Sequence, residues 1–158
     1  MAQGAIDAAR AAGAEQYAET EYGAATAALQ SANDAAAAGD YRLALSHALE
    51  SHERAQNAAR DTADTKARVR ADVERMMAEL AGLLAQGNTA MAAAERARVP
   101  ARLLDTPADD LAAASATVQK AGEAIEAGDY LDASTALDGV NARIEQALAA
   151  IDAAVTSR

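Results

Sequence analysis

Apolar residues recur along this chain in alternating steps of three and four, the period of a helix that buries one face. Over residues 18–38 the stripe is Tyr22, Ala25, Leu29, Ala32 and Ala36. Gly39 closes that helix. Asp40 follows where a carboxylate accepts from the free N–H groups of the next helix and meets the positive end of its dipole. From Tyr41 to about Arg98 there is no proline and one register holds: Tyr41, Leu45, Ala48, His52, Ala55, Ala59, Thr62, Lys66, Val69, Val73, Met76, Leu80, Leu83, Gly87, Ala90 and Ala94. That spacing predicts a long helix with a coiled-coil seam. Its weakest point is Gly82 with Gly87-Asn88, where glycine costs about 1 kcal/mol relative to alanine and a kink would fall. Pro100 and Pro107 bracket a connector, with Thr106 placed to cap a helix opening at Pro107. A second stripe, Leu111, Ala114, Val118, Ala121 and Ile125, runs to Gly128. Asp129 then opens a return helix carrying Ala133, Leu137, Val140, Ile144, Ala147 and Ile151, the richest apolar face in the chain and the expected seat of its greatest stability. Residues 3–12 predict a short Ala-rich helix that stops near Gly13.

The pattern occurs twice. Gly39-Asp40-Tyr41 returns 89 residues later as Gly128-Asp129-Tyr130, and Tyr22, Ala25, Leu29, Ala32 and Ala36 fall on Leu111, Ala114, Val118, Ala121 and Ile125. The expected fold class is therefore all-α: duplicated antiparallel helical hairpins in an elongated, coiled-coil-like bundle, with repeat one over 1–89 and repeat two over 90–158. The long helix of about 41–98 is shared, its first part the return arm of one hairpin and its last part the lead-in of the next. At each corner glycine closes one helix, the acid opens the next and tyrosine packs across. Gly39, Asp40, Tyr41, Gly128, Asp129 and Tyr130 are thus expected to be structural turn residues.

Composition changes this picture mainly by thinning the core. About a third of the 158 residues are alanine, and there is no Phe, Trp or Cys. Alanine enters a helix at the lowest cost, but burial is worth roughly 25 cal/mol per Å² of apolar surface, so an Ala-lined seam holds less firmly than a Leu-lined one. Without cysteine there are no disulfides, thiolate nucleophiles or Cys-based metal sites. The N-terminal residues lack a basic region followed by an apolar run, and no stretch approaches the roughly 20 apolar residues that span a bilayer, so a soluble chain is expected.

Net charge is −10, divided as −5 over residues 1–41, +2 over 42–102 and −7 over 103–158. The densest basic stretch is Lys66, Arg68, Arg70 and Arg75, interleaved with Asp64, Asp72 and Glu74 at helix-pair spacing. This reads as a solvated face laced with ion pairs, and nucleic acid is not an expected partner for so acidic a chain without stacking aromatics.

The run Gly13 to Tyr22, the stripe ending in Ala-Leu-x-x-Ala, and Gly39-Asp40-Tyr41-x-x-Ala44-x-x-x-Ala48 together resemble an uncharacterised bacterial domain family. That family occurs in Ala-rich envelope lipoproteins and ahead of OmpA-like peptidoglycan-binding domains. The likeness covers residues 4–75 well and 92–150 less well. It implies a helical-hairpin fold and a periplasmic or cell-surface location, and it brings no catalytic residues. This chain has no lipobox cysteine and no OmpA-like segment. The turn Gly39 to Leu45 is also similar to the inter-helix turn of tetratricopeptide repeats, although the arms are too long for that 34-residue unit.

Candidate chemistry is sparse. His47 and His52, the only histidines, lie near Asp40, Glu50 and Glu53, but five residues set them about 140° apart around a helix, so they cannot share an ion. His47 with Glu50 offers two ligands where a structural zinc takes four. Asp109-Asp110 falls in a first helical turn, where acids favour the dipole. There is no phosphate-cradling glycine loop and no Ser/His/Asp signature. The expectation is a non-enzymatic protein without cofactor or metal, acting as a helical scaffold or protein-interaction module of the bacterial envelope. The alternatives are a self-assembling structural subunit, as filament or ring, and a tetratricopeptide-like peptide binder.

Overall fold

Four glycines sit in the left-handed region, Gly13 (φ 98°), Gly39 (φ 81°), Gly128 (φ 87°) and Gly139 (φ 75°), and each separates two helices. The computed structural model describes residues 1–157 and is all-α, with no strand among them. In chain order the helices are α1 (Ala2–Ala12), α2 (Ala14–Tyr17), α3 (Glu19–Ala37), α4 (Tyr41–Arg96), α5 (Asp105–Ala127), α6 (Tyr130–Leu137) and α7 (Val140–Thr156), with a 3₁₀ turn at Ala101–Leu103 before α5. Helix α4 runs its 56 residues without interruption through Gly82 and Gly87.

The corners close by one device. At Gly39 the N–H of Asp40 donates to the Ala35 carbonyl at 2.9 Å, and at Gly128 the N–H of Asp129 donates to Ala124 at 2.8 Å. These six-to-one bonds satisfy carbonyls that a helix end leaves free. The same bond ends α4, from Val99 to Ala94 at 3.1 Å, but there the left-handed residue is Arg98 (φ 58°). Asp40 caps α4 by accepting from the Leu43 N–H at 3.0 Å. Asp129 makes no such side-chain bond, and Thr106 caps nothing: α5 opens earlier, at Asp105, and Pro107 lies buried inside its first turn.

The chain divides into two compact units, Met1–Arg68 and the residues from Val69 onward, so the division falls within α4. The first unit packs α1, α2, α3 and the first half of α4 around Ile6, Ala9, Ala14, Tyr22, Ala25, Ala55 and Ala58. The second packs the latter half of α4 with α5, α6 and α7 around Val73, Leu80, Leu111, Leu137, Val140, Ile144 and Ile151. Ser51, Ala55, Ala58 and Thr62 are buried in α4, and Val140, Ile144, Ala147 and Ile151, each 89 residues on, are buried in α7. One register therefore serves both units, filled with small or hydroxylated side chains in the first and aliphatic ones in the second. The two buried hydroxyls are satisfied locally: Ser51 donates to the Ala25 carbonyl at 2.8 Å and Thr62 to that of Ala58 at 2.6 Å.

Three expectations are corrected. The return arm of the second hairpin is two helices, because Asp138 turns extended and Gly139 left-handed between Leu137 and Val140. Glycine alone takes that backbone conformation freely, whereas Leu49-Glu50 at the equivalent place in α4 favour helix. On α3 the buried residues near its end are Ala32 and Ala35, while Ala36 is exposed, since a 3.6-residue helix drifts off a strict three-four register. The early seam of α4 is open as well. Tyr41 is 76% exposed and does not pack across its corner, and Leu45 is 61% exposed.

Candidate interaction surface

Helix α4 begins with a row of large apolar side chains that nothing covers. Tyr41, Leu45 and Leu49 are spaced by four, so each is turned by about 40° from the last and all three share one face. Their exposures are 76%, 61% and 57%, in a unit whose core is mostly alanine. Farther along the same side of α4 the face is occupied. Ala59 packs against the cluster that holds Ile6 and Ala9 of α1, and Lys66 donates to the Ala12 carbonyl at the end of α1 at 2.6 Å. The row is therefore the continuation of the α1 interface, beyond the point where α1 starts. His52 stands between the two stretches, its Nε2 3.2 Å from the Gln56 amide nitrogen and its Nδ1 buried without a hydrogen-bond partner.

Electrostatics in the first unit tie helices together and leave two charges of the row free. Arg10 donates to the Tyr22 hydroxyl at 2.8 Å and to Glu15 at 3.2 Å, and these contacts, Tyr22 foremost, push the guanidinium above its ordinary value. Lys66 lies over the Tyr17 ring, 5.0 Å from its centre, so this basic residue clamps α1 and α2 and does not belong to a solvated ion-pair face. Arg70 with Glu74 at 2.7 Å and Arg75 with Asp72 at 3.0 Å do form surface pairs. Arg54 bonds Glu50 at 3.0 Å and reaches Glu21 on α3 at 3.6 Å, and it is the main cause of a lowered Glu50 pKa, with His47 second. Arg42 and Glu53, flanking the exposed row, enter no ion pair among the described residues.

The second unit holds an open cavity of about 490 Å³ between α4 and the α6–α7 break. Met76, Leu80, Leu83 and Leu137 form its floor, and Glu79 and Glu145 stand at its rim. Gly82, Gln86 and Asn141 complete its lining.

Of the turn residues, Gly39 and Gly128 supply left-handed geometry, Asp40 a cap and Asp129 a helix start through its backbone carbonyl, which accepts from Ala133 at 3.0 Å. Tyr130 is half-buried near Arg70, whose charge is favoured first by Glu74 and then by Tyr130. His47 Nδ1 lies 3.6 Å from Glu50, and among the described residues no group of three or more His, Asp or Glu is placed to hold a metal ion. No helix among them is long and apolar enough to cross a membrane. Periodicity places Tyr41 and Leu45 on a seam but cannot say that the seam is uncovered, and Leu49 falls outside the strict register. The signal that could have found the row is the presence of leucine at 45 and 49 where the second repeat has the polar residues Ser134 and Asp138. Compared with family models, with curated proteins and with solved structures, the chain gives no match.

Proposed function

We propose that this chain is a non-enzymatic helical scaffold or protein-interaction module of the bacterial cell envelope. The observation that carries the reading is the exposed row Tyr41, Leu45 and Leu49 at the start of a helix whose next turns bury Ser51, Ala55, Ala58 and Thr62. Three large apolar side chains aligned in water are costly to keep, at roughly 1.5–3 kcal/mol for each that burial would gain, and such rows mark contact surfaces. The envelope location rests on the family resemblance of the hairpin motifs. Photo-crosslinking in the source bacterium tests both parts. A crosslinker at position 45 is expected to give a discrete protein adduct in the envelope fraction, with none from the exposed polar position Gln30. Equal, diffuse labelling from both positions overturns the interaction reading, and recovery of the chain in the cytosolic fraction overturns the location.

A further inference from the structure

Resting on that reading, we infer that the partner of the exposed row on α4 is the same row on a second copy of this chain, joined antiparallel about a two-fold axis. The row lies about 110° around α4 from its buried seam of Ser51, Ala55, Ala58 and Thr62, counting 100° per residue. That is close to the right angle between neighbours of one helix in a four-helix bundle and well beyond the roughly 60° of a three-helix one. The face is therefore distinct from the seam that Ser51 joins to α3, and it is open to a further helix that continues the line of α1.

The row is complementary to itself. With Leu45 opposite Leu49 of the second copy, residue n faces residue 94 − n, and Tyr41 reaches the neighbourhood of His52. Arg42 and Glu53 are eleven residues apart, so they stand within about 20° of each other on one flank. In an antiparallel pair like flanks meet, and in this register Arg42 of each copy comes level with His52 of the other, one residue from Glu53 and within reach of its carboxylate. These two charges flanking the row have no ion pair among the described residues. Between residues 41 and 54 the two arginines, Arg42 and Arg54, balance the two glutamates, Glu50 and Glu53, so this stretch of helix is neutral in a chain of net charge −10. It is the stretch on which two such acidic molecules can meet with least repulsion. A two-fold contact also closes on itself, giving a dimer and not a filament. The face is continuous with the side of α4 that carries Ala59 and Lys66 against α1.

Sedimentation of the full chain from about 1 to 200 μM tests this, with a roughly micromolar dissociation constant expected for so short an interface. L45E/L49E changes only exposed side chains, and its helicity by circular dichroism is expected to match the parent while dimerisation weakens roughly 100-fold or more. R42E and E53R are each expected to weaken it several-fold, and R42E/E53R together to restore it, which only the antiparallel register predicts. A dimer indifferent to L45E/L49E, or a charge double variant weaker than either single one, overturns the proposal. A monomer at every concentration overturns it too. A labelled peptide copying Val69 to Leu84, the amphipathic stretch of α4 that packs in the second unit, then separates the two readings. If the monomer binds it through Leu45 and Leu49, the interaction reading stands with another occupant; if it does not, that reading is weakened with the dimer.

Discussion

Gly82 and Gly87 stand five residues apart in α4 and have opposite reasons to be there. A Cβ at Gly82 meets nothing within 4 Å, whereas one at Gly87 would lie 2.6 Å from Leu111 Cδ2, a side chain only 4% exposed. Gly82→Ala is therefore expected to raise stability by about 0.5–1 kcal/mol through helix propensity. Gly87→Ala is expected to lose roughly 1 kcal/mol, because displacing buried Leu111 outweighs that gain. Urea unfolding of the two variants checks the difference in sign. Arg98 occupies a left-handed position with φ 58°, and Arg98→Gly is expected to gain about 1 kcal/mol in the same assay. At Glu50, the bond from Arg54 lowers the carboxyl pKa below its ordinary 4.5, with His47 adding to the effect. A lowered folded-state pKa contributes stability above that ordinary value and loses it as pH falls through the lowered one. In an NMR titration of the Glu50 carboxyl, Arg54→Ala is expected to move the midpoint upward and to flatten the acid side of the stability profile in that window.

At the scale of elements, equivalent return arms behave differently because of two residues. Asp138-Gly139 interrupts one where Leu49-Glu50 continues the other, and the left-handed Gly139 has no atom within 4 Å of a would-be Cβ. Gly139→Ala is thus expected to cost about 1 kcal/mol through backbone strain alone, read as a lower denaturation midpoint. Helix types and most boundaries were legible, since three-four spacing and closing glycines are local signals. The break at Gly139 was signalled by the glycine itself but overridden by the unbroken stripe from Leu137 to Ile151, which both helices still bury. The Thr106 cap failed because Leu104 precedes α5 as its boundary residue and Pro107 is drawn into the core. Exposure of Tyr41, Leu45 and Leu49 was not legible: a periodic stripe records which side chains align, not whether another helix lies over them.

For the whole molecule, the two units share a register but not the size of what fills it. Ile144 and Ile151 occupy the places that Ala55 and Thr62 hold in the first unit, and all four are buried. Larger aliphatic side chains bury more apolar area per position, so the second unit is expected to be the more stable. Hydrogen exchange followed by mass spectrometry should find amides of α1 and of the start of α4 exchanging at least about tenfold faster than those of α7. Faster exchange in α7 would overturn this ordering.

Composition and spacing alone determined that the chain is helical, where the corner glycines fall and which apolar positions share a face. Those properties follow from backbone sterics and a fixed 100° step, and they need no knowledge of neighbours. Only the tertiary structure decided which faces are covered: that Gly87 admits Leu111, that Lys66 clamps α1, and that Tyr41, Leu45 and Leu49 stand in water. Coverage depends on where distant segments come to lie, a long-range property that periodicity along one helix does not contain.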